Sequence, residues 1–197
     1  MKKEIDMLPS MDDAGLRFFT RTMSMSNCFI EYGCGGSTAY AANIARVKNI
    51  ISVDTSKVWI KNVRSALSNT DSKLHLKHCN LGEVGGWGQP INRDKSSDFW
   101  RYMVAPWQVA NKLELIPDAV LIDGRFRVAS FLYSLISARV GTILMFDDYL
   151  NREKYFIVEN FVKLQEKHGR MGVFYVEHDY NLPEIVSTIA EYSTKWS

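Results

Sequence analysis

Glycines and carboxylates follow several short apolar runs of the sequence, and their types and spacing suit ligand binding. The first such run leads into Gly33, Gly35 and Gly36 and then into a helix-compatible stretch, and the next run ends at Asp54. Glycine lets the main chain take positive φ and lets a ligand approach the backbone closely. Amide groups at the start of the following helix can meet a negatively charged part of that ligand. The spacing therefore predicts a ligand-binding loop after the first core strand.

Three further carboxylates follow two later apolar runs. Asp123 ends one run, Asp147 and Asp148 end the next, and Arg125 and Arg127 come shortly after Asp123. Carboxylate oxygens suit Mg²⁺ or Ca²⁺, so one interpretation is a metal site formed by the three acids. The fork of an arginine suits a carboxylate or a phosphate. We expect Arg127 to pair with one of these acids, whereas Arg125 fits such a pair and an anionic substrate equally well.

The apolar runs are rich in β-branched and aromatic residues, and helix-compatible stretches separate them. Strands that alternate with helices form a mostly parallel sheet with helices on both faces. Helices are predicted over residues 37–46, 56–67, 127–138 and 151–164. As an alternative for the end of the last helix, the sequence also allows a strand over residues 161–169 that pairs with residues 172–178 through a tight turn.

Two segments lie outside this alternation. Residues 1–26 form an N-terminal extension, in which 12–22 is compatible with a short helix that covers one side of the sheet. Residues 81–97 hold four of the twelve glycines and are predicted to form a long loop over a strand end, near the active site. Loops of this length are usually functional or disordered. We expect residues 1–197 to form a single domain.

Composition excludes several classes of protein. The 24 basic and 22 acidic residues give a formal net charge of +2, which provides no electrostatic case for binding nucleic acid or an anionic membrane surface. Three cysteines fit a reducing cytosol better than a disulfide framework. No apolar run is long enough to span a bilayer, and the first residues lack the apolar stretch of a signal peptide. We expect a cytoplasmic protein that acts on a small molecule. The sequence is also compatible with a homodimer.

The glycine loop matches neither of two common phosphate-binding motifs. The dinucleotide fingerprint requires a third glycine where this chain has Thr38, and no lysine follows the loop as the Walker A motif requires. The pattern that remains, Glu31-x-Gly33-x-Gly35, resembles motif I of the class I S-adenosylmethionine (SAM)-dependent methyltransferases. This resemblance implies a single-domain, Rossmann-like α/β fold that binds SAM.

The resemblance also implies a set of cofactor contacts. SAM would lie over the glycine loop, Asp54 would accept hydrogen bonds from both ribose hydroxyls, and Asn80 would lie near the adenine. Asp123 matches the acid that the family carries after its fourth strand. The implied contacts are Glu31, Gly33, Gly35, Gly36, Ser37, Asp54, Thr55, Asn80 and Asp123.

Four motifs in order resemble a group of small bacterial methyltransferase-like proteins. The acids also resemble those of catechol O-methyltransferase-type enzymes, in which carboxylates after the fourth and fifth strands hold a divalent cation. Those enzymes commonly have Asp-Asn where this chain has Asp147-Asp148. The likeness implies a metal that lowers the pKa of a substrate hydroxyl, and it makes Asp147 and Asp148 candidate catalytic residues. The resemblance covers about residues 27–178, and its motifs lie at 31–38, 87–90, 121–129 and 146–149.

The sequence therefore favours transfer of the SAM methyl group to an oxygen nucleophile of a small molecule, with Trp87 and Arg125 as candidate substrate contacts. Such a transfer needs mostly alignment and exclusion of water. The chain lacks the Asn/Asp-Pro-Pro-Tyr/Phe motif of amino-group methylators. Two alternatives remain open. One is a non-catalytic protein that binds SAM or its demethylated product, S-adenosylhomocysteine (SAH); the other is a nicotinamide-dependent oxidoreductase, which Thr38 disfavours.

Overall fold

In the computed structural model, which describes residues 7–67 and 70–196, the chain folds around a central sheet of seven strands. The strands are β1 (Cys28–Tyr32), β2 (Asn49–Asp54), β3 (Lys73–His78), β4 (Ala119–Ile122), β5 (Ile143–Phe146), β6 (Glu166–His168) and β7 (Met171–Tyr175). Their order across the sheet is β3-β2-β1-β4-β5-β7-β6.

The first five strands are parallel, as the sequence predicted. β1 pairs with β2 and with β4, and these neighbours pair with β3 and β5 in turn. Every residue of β1 and of β4 is buried. A strand with both faces covered is mostly apolar along its length, because neither face meets water. That is why these runs show little polar–apolar alternation in the sequence.

Within the described residues, six α-helices cover the two faces of the sheet. They are α1 (Asp13–Met25), α2 (Gly36–Asn43), α3 (Lys57–Ala66), α4 (Trp100–Lys112), α5 (Arg127–Ser137) and α6 (Leu182–Tyr192). Successive strand residues point to opposite faces. Phe29 packs with α1, α2 and α3 in one apolar cluster, whereas Ile30 packs with α4, α5 and α6 in the other. The predicted arrangement of helices on both faces is confirmed.

The helix predicted over residues 151–164 is wrong. The chain forms two 3₁₀ segments there, Tyr149–Asn151 and Glu153–Asn160. Tyr155 and Val158 are buried, and their spacing of three residues places them on one side of a 3₁₀ helix. The alternative prediction is confirmed instead, because β6 and β7 pair as an antiparallel hairpin in which His168 lies opposite Met171.

The N-terminal part of the chain contains one helix that is longer than predicted. α1 begins after Asp12, whose carboxylate accepts a hydrogen bond of 2.8 Å from the amide of Gly15. The same carboxylate accepts a second hydrogen bond of 2.6 Å from the amide of Arg170. Asp12 therefore joins the start of α1 to the β6–β7 hairpin. In the described part of the chain, no helix combines the length and apolarity needed to cross a bilayer.

Candidate functional site

A cleft of about 650 Å³ opens at the carboxyl ends of β1, β2 and β4. From β1 the chain proceeds outward to β2 and β3, and then returns to the other side of β1 to form β4. Ligands of open α/β sheets bind at such a reversal of strand order. The residues that line the cleft are Met7, Leu8, Ser10, Gly33, Cys34, Gly35, Gly36, Ser37, Asp54, Thr55, Ser56, Trp59, Val84, Gly85, Trp87, Gly88, Tyr102, Asp123, Gly124 and Arg125.

Gly33 allows the ends of β1 and β4 to touch. Its φ of +89° lies in the left-handed region that favours glycine. A Cβ at this position would lie 2.9 Å from the Cα of Gly124, closer than real Cβ contacts allow. The amide of Gly33 donates to the carbonyl of Val53 at 2.8 Å. Both conformation and space therefore require glycine where the loop leaves β1.

The space around Gly35 differs from the space around Gly36. A Cβ on Gly35 would meet no atom within 4 Å, so the bare backbone of Gly35 faces open space in the cleft. A Cβ on Gly36 would instead collide with the main chain of Leu8. The segment around Leu8 therefore packs directly on the glycine loop and forms one wall of the cleft.

Glu31 lies beneath the glycine loop and does not line the cleft. Its carboxylate is fully buried and accepts hydrogen bonds from the hydroxyls of Ser37, Thr38 and Ser52. Burial raises the pKa of Glu31 to about 7, although the three hydroxyls oppose the rise. Glu31 thus ties the loop and the start of α2 to β2. The structure places this predicted cofactor contact one layer below the ligand space.

Asp54 lies at the end of β2 and faces the cleft. One of its carboxylate oxygens accepts a hydrogen bond of 2.8 Å from the amide of Ser56. Burial raises the pKa of Asp54, while amides that include those of Ser56 and Thr55 oppose the rise. The neighbouring Thr55 lines the cleft too, but its hydroxyl donates to the carbonyl of Gly88 at 2.6 Å. Thr55 therefore holds the loop of residues 81–97 over the cleft.

Asn80 lies apart from these residues. Its side chain is exposed and accepts a hydrogen bond of 3.2 Å from the amide of Gly82. Asn80 is not among the residues that line the cleft. The predicted contact between Asn80 and an adenine thus finds no counterpart in the geometry, because this side chain stabilises its own turn.

Two tryptophans line the cleft, and the sequence indicated only one of them. Trp87 is 91% exposed and has a φ of 58°, so its ring stands at the mouth of the cleft. Trp59 lies in the stretch of residues 56–67, for which the sequence predicted only a helix. The structure adds a contact with the site, because the indole N–H of Trp59 donates to the carbonyl of Cys34 in the glycine loop at 2.6 Å. Hydrophobic periodicity contains no signal for such a hydrogen bond.

The acids after β4 and β5 are engaged by arginines. Arg127 lies 2.8 Å from Asp123 and 3.2 Å from Asp148, which confirms the predicted pairing of Arg127. Arg170 lies 2.8 Å from Asp147 and 3.1 Å from Asp148. Burial raises the pKa of Asp123, and the Arg127 guanidinium opposes the rise.

The predicted metal site of Asp123, Asp147 and Asp148 is wrong for the geometry observed. Over residues 7–67 and 70–196, no group of three His, Cys, Asp or Glu side chains is arranged to hold a metal ion. Arg127, Arg152 and Arg170 bring the positive charge that a divalent cation would otherwise bring. Asp147 and Asp148 also lie outside the lining of the cleft, so their positions do not favour the predicted catalytic role.

A solved structure shares this fold over nearly its whole length. The crystal structure of a methyltransferase-like protein from Silicibacter pomeroyi matches with a TM-score of 0.85 and 28% sequence identity, over 94% of this chain and 96% of that one. No protein-family model and no curated protein matches the sequence. The parallel sheet, its strand order and this likeness together identify the fold of the chain as methyltransferase-like.

Proposed function

We propose that this protein is a SAM-dependent methyltransferase whose cleft holds SAM and a small-molecule acceptor. The observation that carries the proposal is the cleft at the reversal point of a methyltransferase-like sheet, lined by Gly33, Gly35 and Gly36 on one strand end and by Asp54 on the next. The fold is shared with a protein described as methyltransferase-like.

The residues of the cleft fit SAM in shape and in charge. A ligand can approach the main chain at Gly35, where a side chain would project into open space. Within residues 7–67 and 70–196, Asp54 has no ion-pair partner. Its carboxylate is therefore available to accept hydrogen bonds from the two hydroxyls of a ribose. The amide of Ser56 orients that carboxylate before the ligand binds.

Thr38 supports SAM over a nicotinamide dinucleotide. Its hydroxyl accepts a hydrogen bond of 2.8 Å from the amide of Gly35 and donates to Glu31 at 2.5 Å. This buried side chain occupies the position where a dinucleotide fold needs the third glycine for close packing of helix on strand. The loop therefore keeps the first two glycines of the dinucleotide fingerprint, Gly33 and Gly35, and has Thr38 in place of the third.

The chemistry of such a site is simple. When bound, SAM supplies a methyl group on a positively charged sulfur, and transfer leaves the carbon–sulfur electron pair on a neutral thioether. The task of the chain is to align the acceptor and to exclude water. Trp59 and Trp87 provide aromatic walls at the cleft. An oxygen acceptor must lose its proton, and Asp123 is the cleft carboxylate at the end of β4 that is placed to accept it.

Isothermal titration calorimetry with SAM, SAH and NAD tests this proposal. We expect SAM and SAH to bind, and NAD not to bind. Asp54→Asn should weaken SAH binding roughly 10- to 100-fold, because it removes charge-assisted hydrogen bonds to the ribose. Asp71→Asn is the matched control, since Asp71 is exposed and lies outside the lining of the cleft.

Two results would contradict the proposal. Binding of NAD without binding of SAM would favour the oxidoreductase, and unchanged SAH affinity in Asp54→Asn would remove the proposed ribose contact. Turnover is decided separately, by chromatographic detection of SAH after incubation with SAM and a panel of hydroxylated acceptors. SAM binding with no SAH formed from any acceptor would favour the non-catalytic binding protein.

A further inference from the structure

Arg125 and Arg127 are two residues apart, yet their surroundings differ. Arg127 is nearly buried, and its guanidinium donates to the carbonyls of Asp123, Gly124 and Asp147 as well as to two carboxylates. Arg125 lines the cleft, and its Nε is buried with no hydrogen-bond partner. In the described part of the chain, Arg125 makes no ion pair.

A buried guanidinium nitrogen without a hydrogen-bond partner lowers the free energy of unfolding of a protein. A buried donor to which no acceptor is supplied loses its hydrogen bonds to water and gains none in return. Burial and the neighbouring Arg127 lower the pKa of Arg125, and the weaker opposing contributions, which include that of Asp123, do not cancel this effect. The described part of the chain supplies neither a hydrogen-bond acceptor for this Nε nor a negative charge that is ion-paired with the guanidinium.

The acids of this edge of the sheet do not supply that charge. Asp123 pairs with Arg127, and Asp147 pairs with Arg170. Asp148 is shared among the guanidinium groups of Arg127, Arg152 and Arg170. Each of the three acids is therefore already neutralised by another arginine.

A second cation adds to the positive charge near Arg125. Burial lowers the pKa of Lys154, and the charges of Arg152, Arg127 and Arg125 lower it further. Lys154 also makes no ion pair among the described residues, and its ammonium lies 5.5 Å from the ring centroid of Tyr155. Lys154 lies outside the lining of the cleft, so Arg125 is the cationic side chain that lines the ligand space.

Arg125 lies on the opposite side of the cleft from the proposed ribose contact. Asp54 ends β2, and Arg125 follows β4, with β1 between these strands. Strands are spaced by about 4.8 Å, which separates the ends of β2 and β4 by about 10 Å. The amide of Arg125 lies 3.3 Å from the hydroxyl of Tyr102, so aromatic and cationic groups are adjacent there.

We infer that the methyl acceptor carries an oxyanion, a carboxylate or a phosphate monoester, which the Arg125 guanidinium binds. Both groups accept two parallel hydrogen bonds from an arginine fork. The inference rests on the proposed function, because it assigns Arg125 to the acceptor and not to the cofactor. The rival assignment is that Arg125 binds the amino-acid carboxylate of SAM itself.

Calorimetry with wild type, Arg125→Gln and Arg139→Gln tests the inference. Arg139 is the matched control, because it is exposed and lies outside the cleft. The probes are benzoate, phenyl phosphate and the neutral isostere benzamide, each titrated with SAH at saturation. The aryl group is chosen because Tyr102 and Trp87 line the cleft.

We expect at least one of the two anions to bind wild type and Arg139→Gln, and to bind Arg125→Gln roughly 10- to 100-fold more weakly. Benzamide should bind all three proteins equally, and the anion that binds more tightly identifies the acceptor group. SAH affinity should be unchanged in Arg125→Gln. The melting temperature of this variant should equal or exceed that of wild type, because an unpartnered buried charge is removed. Arg125→Lys should recover part of the lost affinity, since it restores charge but not the fork.

Three outcomes would overturn the inference: anion affinity that does not change in Arg125→Gln, no binding of either anion to wild type, or a loss of SAH affinity in Arg125→Gln. The last would assign Arg125 to the carboxylate of the cofactor. If wild type binds no SAH, the proposed function fails; the anion titrations are then run without SAH, and they still decide whether Arg125 forms an oxyanion site.

Discussion

At the residue scale, buried carboxylates determine how the glycine loop is held. Glu31 is fully buried and has no cationic partner in the described part of the chain; three hydroxyls surround it instead. Hydroxyl groups can donate to a carboxylate or accept from a protonated carboxyl. The contact therefore persists in either protonation state, and only its strength depends on pH.

The pKa of Glu31 predicts a pH dependence of stability. Burial raises it to about 7 from the usual value near 4.5, so the folded state retains a proton that the unfolded state has lost between these values. Stability contributed by this group should therefore fall as the pH rises from about 4.5 to about 7, by an amount on the order of 3 kcal/mol.

Thermal unfolding of wild type and Glu31→Gln between pH 4.5 and 8 measures this contribution. Burial also raises the pKa of Asp54 and of Asp123, so the informative quantity is the difference between the two proteins. The stability of Glu31→Gln should fall less than that of wild type as the pH rises, because the amide does not titrate. The stability of this variant relative to wild type should therefore be higher at pH 8 than at pH 5. Parallel curves would show that Glu31 does not titrate in this range.

At the element scale, the glycine loop connects β1 to α2 and shapes the ligand space. Three contacts hold it: the Glu31 carboxylate from below, the indole N–H of Trp59 from α3, and the main chain of Leu8 from the N-terminal side. Of the three glycines in the loop, Gly35 is the one whose backbone faces open space, because a Cβ on Gly33 or Gly36 would collide with main-chain atoms. The loop is therefore packed against protein at Gly33 and Gly36 and open at Gly35.

Gly35→Val should separate binding from folding. A valine side chain at position 35 would meet no protein atom near its Cβ but would occupy the space proposed for SAM. We expect the free energy of unfolding to change by no more than about 1 kcal/mol. The affinity for SAH should fall roughly 10- to 100-fold, as for an overfilled site.

Gly86→Val is the control for this substitution. A Cβ on Gly86 would also meet no atom within 4 Å, but Gly86 does not line the cleft. Calorimetry with SAH and chemical denaturation of both variants give the two quantities. Equal SAH affinity in wild type and Gly35→Val would show that the ligand does not approach the loop at this position.

At the scale of the whole molecule, Arg170 joins parts of the chain that are far apart in sequence. Its guanidinium lies 3.0 and 2.8 Å from the two carboxylate oxygens of Asp147 and donates to the carbonyl of Ser10 at 2.6 Å. Its amide donates to Asp12. The β6–β7 hairpin, the end of β5 and the N-terminal wall of the cleft therefore meet at one side chain.

Arg170→Met should destabilise the fold, because it leaves the buried carboxylate of Asp147 without its partner. We expect a loss of about 3 kcal/mol, measured by chemical denaturation. The double variant Arg170→Met, Asp147→Asn should recover part of this loss, because the unpaired charge is gone. Equal stability of wild type and Arg170→Met would show that the pair contributes little.

Local features of the sequence predict the class of fold and the position of the cleft. Short apolar runs with little alternation indicate parallel strands covered on both faces, and glycines and acids after those runs mark the carboxyl edge where ligands bind. These features are local, so the sequence shows them directly. Gly33, Gly35, Gly36 and Asp54 were therefore predicted at the cleft, and the structure places them there.

Which side chains share that edge, and which distant charges pair across it, depends on long-range packing. The ion pair of Asp147 with Arg170 and the contact of Leu8 with Gly36 join elements that are far apart in sequence, whereas the pair of Asp123 with Arg127 spans four residues and was predicted. Three acids at neighbouring strand ends are compatible with a metal ion or with arginines, and local sequence cannot distinguish them. Long-range packing brings Arg170 to these acids and leaves Arg125 at the lining of the cleft, because an arginine pairs with the carboxylates that the fold brings within its reach.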